Sequence, residues 1–89
     1  MDHEGAKRAA VVAEHLYSQA VERAAQLSAA LTRTARSLEW SAALADEHAK
    51  RRELHGRHDE AANERAMARR ASDAAWRARV RAEQIARMH

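Results

Sequence analysis

The most regular apolar pattern in the chain is an alanine stripe between Asp59 and Met88. Alanine occupies every seventh position there, and a second apolar series follows three residues after the later members. Alternating steps of three and four residues place side chains on one face of an α-helix. The stripe contains Ala61, Ala68, Ala75, Ala82, Ala71, Ala78 and Ile85, with Met67, Ala74 and Met88 along one edge. Because most of these side chains are methyl groups, we expect a partner helix to pack very close to this face.

A second stripe runs through the first part of the chain, where neither proline nor glycine interrupts a helix between Ala6 and Leu54. Asp2 is suited to cap the start of this helix. Its apolar face contains Ala10, Ala13, Tyr17, Ala20, Ala24, Leu27, Leu31, Ala35, Leu38, Ala42, Ala45 and Ala49. Threonine and serine in segment 32–37 compete for backbone hydrogen bonds and mark a possible break. We expect one continuous helix, and the alternative is a three-helix bundle with a break near 32–37.

The segment around Gly56 separates the two stripes. Glycine is favoured in the left-handed conformation just after a helix end, and Asp59 is a good N-cap for a following helix. A connection of three or four residues is typical of antiparallel neighbours. We therefore predict a single all-α domain over residues 1–89, an antiparallel helical hairpin with an alanine-rich, coiled-coil-like seam. Its first helix covers about residues 4–54, the turn 55–58 and the second helix about 59–88.

The hairpin fixes which residues face each other. If the chain reverses near residue 57, facing residues have numbers that add to about 114, and helices of about 70 Å and 45 Å result. The facing groups are then Ile85 with Leu27 and Leu31, and Met67 with Ala45 and Ala49. Trp40 and Trp76 fall at nearly the same level, where they could form a single aromatic patch. The first two dozen residues extend beyond the second helix. Acid-to-base pairs at four-residue spacing support both helices: Glu4–Arg8, Asp46–Lys50, Glu47–Arg51, Asp73–Arg77 and Glu83–Arg87.

Several large apolar residues fall outside the alanine stripes or on the extension. The extension carries Val11, Val12, Leu16, Tyr17 and Val21, and the pairs Trp40–Leu44 and Trp76–Val80 have the four-residue helical spacing. An isolated helix with that much apolar surface requires a second surface to cover it. We expect these residues to form the interface of a homodimeric four-helix bundle. The alternative is that both tryptophans close the core within one chain.

Composition agrees with this architecture and limits the function. The chain has 89 residues with no proline, no cysteine and a formal net charge of +3. Residues 55–89 carry eight bases against five acids, so the basic excess lies in the second helix. Arg70, Arg77 and Arg81 share one side of that helix and provide possible phosphate contacts for a nucleic-acid-binding dimer. Acidic residues interrupt this row of arginines, so a solvated, salt-bridged face is the simpler interpretation.

Candidate reactive chemistry is sparse. His48, His55 and His58 surround the turn and are weak candidates for metal ligands, but Gly56 interrupts the helix between them. No nucleophile motif or glycine-rich phosphate loop occurs, so we expect neither catalysis nor a cofactor. No apolar run is long enough to span a membrane, and the alanine-rich faces are too shallow for membrane-surface binding. The first residues lack the pattern of a secretory signal, so we expect a cytoplasmic location.

The sequence therefore predicts a small non-enzymatic module, of bacterial type, that binds another protein or itself. The abundance of alanine and arginine fits a GC-rich genome and needs no functional explanation. The expected interface residues are the apolar residues of the extension and the two tryptophan pairs described above. A dimer that binds nucleic acid through the second helix is the alternative.

Overall fold

The computed structural model describes residues 3–88 as two α-helices joined by a short turn. Helix α1 runs His3–Leu54 and helix α2 runs His58–Met88. The predicted all-α antiparallel hairpin is confirmed, and both helices begin within one residue of the expected position. Asp2, the predicted N-cap of the first helix, lies outside the described residues.

Helix α1 is continuous through segment 32–37, where the sequence permits a break. The Thr32 hydroxyl donates a hydrogen bond of 3.0 Å to the Ser28 carbonyl oxygen, one turn earlier in the same helix. Such a bond satisfies the hydroxyl without interrupting the backbone ladder, because that carbonyl can accept a second bond. The three-helix bundle with a break near 32–37 is therefore wrong.

Gly56 ends α1 as the sequence predicts. Its φ of 73° lies in the left-handed region. The Gly56 N–H donates to the Glu53 carbonyl at 3.0 Å, and the Arg57 N–H donates to the Arg52 carbonyl at 2.7 Å. These two bonds form a Schellman motif, which satisfies carbonyls that the helix end would otherwise leave unpaired.

The start of α2 differs from the prediction. The Ala61 N–H donates to the Arg57 carbonyl at 2.9 Å, so Arg57 occupies the N-cap position and α2 begins at His58. Asp59 is therefore not the N-cap; it lies in the first turn with Glu60. The Schellman motif already brings Arg57 into a capping position, which makes the turn shorter than expected. Both carboxylates still lie near the positive end of the helix dipole.

Gly56→Ala is expected to destabilise the hairpin by about 1–2 kcal/mol, because an L side chain in the left-handed region is strained. No atom lies within 4 Å of the added Cβ, so the effect is one of backbone conformation and not of collision. Thermal unfolding measures the change. Gly5→Ala, inside α1, is the matched control and should leave stability unchanged or raise it, because alanine is the better helix former. Equal melting temperatures for Gly56→Ala and the native chain would contradict the assignment.

The core between the helices is made of alanine. The buried residues are Ala35, Ala42, Ala45 and Ala49 of α1 and Ala61, Ala68, Ala75 and Ala82 of α2. Among residues 3–88 no larger side chain is fully buried. The Ser28 hydroxyl donates a hydrogen bond of 3.0 Å to the Ala82 carbonyl on the other helix. A side chain as short as serine reaches a backbone carbonyl of its neighbour only where the two helices approach closely, as the small side chains predict.

The predicted register is close to the observed one. Ala42 and Ala45 cluster with Ala68, and Ala71 packs against this cluster. The helical rod is 83 Å long and only 14 × 13 Å across. Since 31 residues of α2 span about 46 Å, the N-terminal part of α1 extends beyond α2. We call residues 3–21 of α1 the extension.

Candidate interaction surfaces

The large apolar side chains lie on the outside of the hairpin. Trp40 is 68% exposed and Trp76 is 67% exposed, so the alternative in which both tryptophans close the core is wrong. Leu44 is 40% exposed, and Val80 is half-buried. The core excludes them because the close approach of the two helices leaves room only for methyl groups.

Trp40 and Leu44 share one face of α1. They lie two residues before and two residues after the buried Ala42, which places each about 160° around the helix from it. Both therefore point away from α2. Trp76 follows the buried Ala75 by one residue and lies about 100° around α2, on a flank of the hairpin. The two tryptophans of one chain therefore do not share a face.

The extension exposes a second group of apolar side chains. Its exposed residues are Val11, Val12, Leu16 and Tyr17, whose exposed fractions run from 56% to 67%. Val21 is half-buried where the extension meets the end of α2. There an open groove of about 390 Å³ is lined by Val21, Ala24, Ala25, Ser28, Ala29, Ile85 and Ala86. Ile85 thus lies against the turn of α1 that contains Leu27, near its predicted position.

Two ion pairs join the helices along one edge. Arg79 donates from Nε to Oε1 of Glu39 and from Nη2 to Oε2 at 2.9 Å. Arg65 donates to both carboxylate oxygens of Glu53 at 2.6 Å each. The hydrogen bonds from the guanidinium groups hold the pKa of Glu39 and the pKa of Glu53 below their ordinary value. These bidentate pairs fix the relative position of the two helices.

A looser set of charges lies along other parts of the helix junction. Arg52 approaches Glu60 at 3.6 Å and Glu64 at 3.5 Å, and His48 lies 3.9 Å from Glu64. Of the five predicted pairs at four-residue spacing, the structure contains Glu83–Arg87 at 3.7 Å. Lys50 contacts Glu47 at 3.3 Å and not Asp46, because the three-residue step also brings helix side chains together. Most of the charged side chains that form salt bridges therefore pair between α1 and α2 and not at the four-residue spacing that was predicted within each helix.

Acid is expected to weaken the hairpin. Because the pKa of Glu39 and of Glu53 is lower in the folded chain than in the unfolded chain, both pairs stabilise fully above the ordinary glutamate pKa. That stabilisation disappears as the pH falls below about 4.3, the ordinary glutamate pKa, and then through the lower pKa values that the two groups have in the folded chain. The melting temperature should drop over this range. The double variant Glu39→Gln/Glu53→Gln should be less stable at neutral pH and lose less on acidification, whereas an identical acid loss in both proteins would contradict this origin.

The arginines of α2 fall into two groups. Arg65, Arg79 and Arg87 are engaged by acidic residues, as described above. Arg69, Arg70, Arg77 and Arg81 are exposed and form no ion pair with any residue of 3–88, and the last three share one side of α2. The possible phosphate contacts are therefore available, but they form a narrow stripe of three charges and not a broad basic surface.

The histidines around the turn do not converge. His48 lies against Glu64, and His55 and His58 are exposed. Within residues 3–88, no group of three or more histidine, cysteine, aspartate or glutamate side chains is arranged to hold a metal ion. In the same part of the chain, neither helix has an apolar stretch of the length and hydropathy needed to cross a membrane.

Comparison of the chain with models of protein families, with curated proteins and with solved structures gave no match.

Proposed function

We propose that this chain is a small, non-enzymatic helical interaction module that acts by self-association, two hairpins forming a homodimeric four-helix bundle. The observation that carries the proposal is the separation of side chains by size. Among residues 3–88 the side chains classed as buried are all alanine, whereas Trp40, Trp76, Leu16 and Tyr17 are all exposed. We also propose a cytoplasmic location, as expected from the sequence.

The size of the core explains why a partner is needed. Burial of a methyl group contributes about 0.8 kcal/mol, whereas burial of a large apolar side chain contributes about 1.5–3 kcal/mol. The hairpin therefore leaves most of its large apolar side chains exposed. Contact with a second chain would bury them, since the same residues would be covered on both copies.

The exposed area is also large for the mass. The chain exposes 7084 Å², whereas a compact monomeric protein of its 10.0 kDa exposes about 5,200 Å². A stable interface of standard size buries about 800 Å² on each partner. The excess surface is thus more than sufficient for one such interface, and the exposed apolar residues give it favourable composition.

Thermal unfolding over a wide range of protein concentration tests the proposal. If two chains associate in the native state, mass action raises the melting temperature as the concentration increases. We expect that increase, with a single cooperative transition followed by circular dichroism. A melting temperature that is independent of concentration would show that a single chain carries the whole stability of the fold and would remove the proposal.

A second candidate function is binding of nucleic acid by a dimer. The observation that favours it is the unpaired stripe of Arg70, Arg77 and Arg81. Phosphate binding requires mainly positive charge, and its affinity falls steeply with salt. Titration of labelled duplex and single strands at low salt is the test. Binding that is lost on addition of salt and on changing the three arginines to alanine would support this function, and absence of binding at low salt would exclude it.

A further inference from the structure

Four exposed apolar residues form two pairs at opposite ends of the outer face of α1. Val12 and Leu16 are 56% and 59% exposed, and Trp40 and Leu44 are 68% and 40% exposed. Each pair has the four-residue spacing that places both side chains on one face. We call these four residues the outer stripe. Within residues 3–88 these four side chains stay exposed, because α2 packs against the opposite face beside Trp40 and Leu44 and does not extend as far as Val12 and Leu16.

The two pairs are in the same heptad positions. Val12 precedes Trp40, and Leu16 precedes Leu44, by 28 residues, which is four heptads. The buried residues of α2, Ala61 to Ala82, also recur strictly every seven residues. A sustained seven-residue repeat indicates left-handed supercoiling, and in a supercoiled helix residues in equivalent heptad positions fall on one line. The two pairs of the outer stripe therefore lie on one line along α1, with mainly polar residues such as Gln19, Arg23 and Arg33 between them.

The outer stripe is symmetric about the middle of α1. Ser28 lies midway between Val12 and Leu44 and midway between Leu16 and Trp40. Helix α1 runs His3–Leu54, so its centre falls at residues 28 and 29. A symmetric spacing of this kind is what an antiparallel contact between two identical helices requires, since residues equidistant from the two-fold axis then meet.

We propose that the second copy of this chain binds along the outer stripe, with the two α1 helices antiparallel and the two-fold axis level with Ser28. Leu16 of one copy then packs against Trp40 of the second copy, and Val12 packs against Leu44. Symmetry repeats both contacts. This inference rests on the self-association proposed above and specifies its face, direction and register. Because α2 packs against the opposite face of α1, the two copies then meet through their α1 helices, and this arrangement replaces the four-helix bundle.

Charge at the edge of the outer stripe favours the same register. Glu22 and Arg36 share a heptad position, and Ala29 lies midway between them. Neither forms a salt bridge with a residue of 3–88. Antiparallel pairing about the centre places Glu22 of each copy beside Arg36 of the other. One contact in this register is unfavourable. Near the axis, Arg23 of each copy faces Arg33 of the second copy, and their like charges repel.

Disulfide formation between single-cysteine variants tests the register, and the native chain contains no cysteine that would interfere. Gln19 and Ser37 lie on the outer face, and Ser28 is midway between them. Gln19→Cys and Ser37→Cys are prepared separately, one with a mass tag, then mixed and oxidised. A disulfide requires Cα atoms within about 7 Å. We expect the mixture to give a covalent dimer of both chains and each variant alone to give none.

A matched control moves one thiol off the face. Ser18→Cys is exposed but rotated by about 100° from position 19, so its mixture with Ser37→Cys should give little covalent dimer. Circular dichroism confirms that each variant remains helical, and light scattering before oxidation gives the mass.

The outcomes separate the two proposals. Covalent dimers from each variant alone would indicate parallel helices and overturn the antiparallel register. A mass of two chains without any cross-link would place the interface elsewhere, which overturns this inference and leaves self-association intact. A mass of one chain, 10.0 kDa, would overturn both.

Discussion

Replacement of Trp40 and Trp76 by alanine is expected to abolish self-association while the chain remains helical. Both side chains are about two-thirds exposed in the single hairpin, so their loss leaves the alanine core intact. Buried tryptophans at interfaces commonly contribute 2 kcal/mol or more, and about 2 kcal/mol corresponds to roughly 30-fold in affinity. Sedimentation equilibrium measures the association, and circular dichroism measures the helical content.

Leu54→Ala is the matched control for this variant. Leu54 is 83% exposed at the end of α1 and lies outside the proposed interface. Its replacement removes a large apolar side chain without touching the two tryptophan pairs, so association should be preserved. Unchanged association in the double tryptophan variant would remove these residues from the interface. Loss of association in the control as well would indicate non-specific attraction between apolar surfaces.

The single tryptophan variants distinguish the two faces. Trp40 belongs to the outer stripe of α1, whereas Trp76 lies on a flank of α2. If the two copies associate through their α1 helices, Trp40→Ala accounts for most of the loss and Trp76→Ala for little. Equal losses would show that both helices contribute to the interface, as in a square four-helix bundle.

Replacement of Ala68 by leucine is expected to cause the largest loss of stability. Ala68 is 4% exposed and packs with Ala42 and Ala45 at the centre of the seam. A leucine there cannot fit between closely packed helices without moving them apart, and overpacking of this kind typically costs about 1–3 kcal/mol. In a domain of this size each kcal/mol lowers the melting temperature by roughly 4–8 °C.

Ala62→Leu provides the comparison for the overpacked variant. Ala62 is exposed on the same helix, and the change adds the same three carbons without entering the seam. Its effect on the melting temperature should stay within the range of ordinary surface substitutions, about 0.5 kcal/mol. If Ala68→Leu were tolerated equally well, the two helices would not be held at close range by their alanines.

The elements that could be predicted from sequence are those with a local cause. The seven-residue alanine repeat places Ala61, Ala68, Ala75 and Ala82 on one face whatever surrounds the helix, and all four are buried. Gly56 is the only glycine in the region where the chain must reverse, and it takes the left-handed conformation. The absence of proline leaves α1 continuous.

The features that were missed depend on how the two helices meet. Glu39–Arg79 and Glu53–Arg65 are far apart in sequence, so a search for charges at four-residue spacing does not find them. The facing register would have indicated both pairs, since each brings residues within about one turn of the expected opposite position. The outward position of Trp40, in contrast, was predicted, because Ala42 belongs to the stripe that identifies the inner face of α1.

We expect a salt-insensitive apolar surface to join two hairpins. The most direct measurement is absolute mass by light scattering after size exclusion, at low and at high salt. Because apolar contacts do not depend on screened charges, we predict about 20 kDa, twice the chain mass of 10.0 kDa, in both buffers. A mass near 10 kDa in both would contradict self-association, and a dimer that dissociates at high salt would show that charge, not apolar contact, holds the copies together.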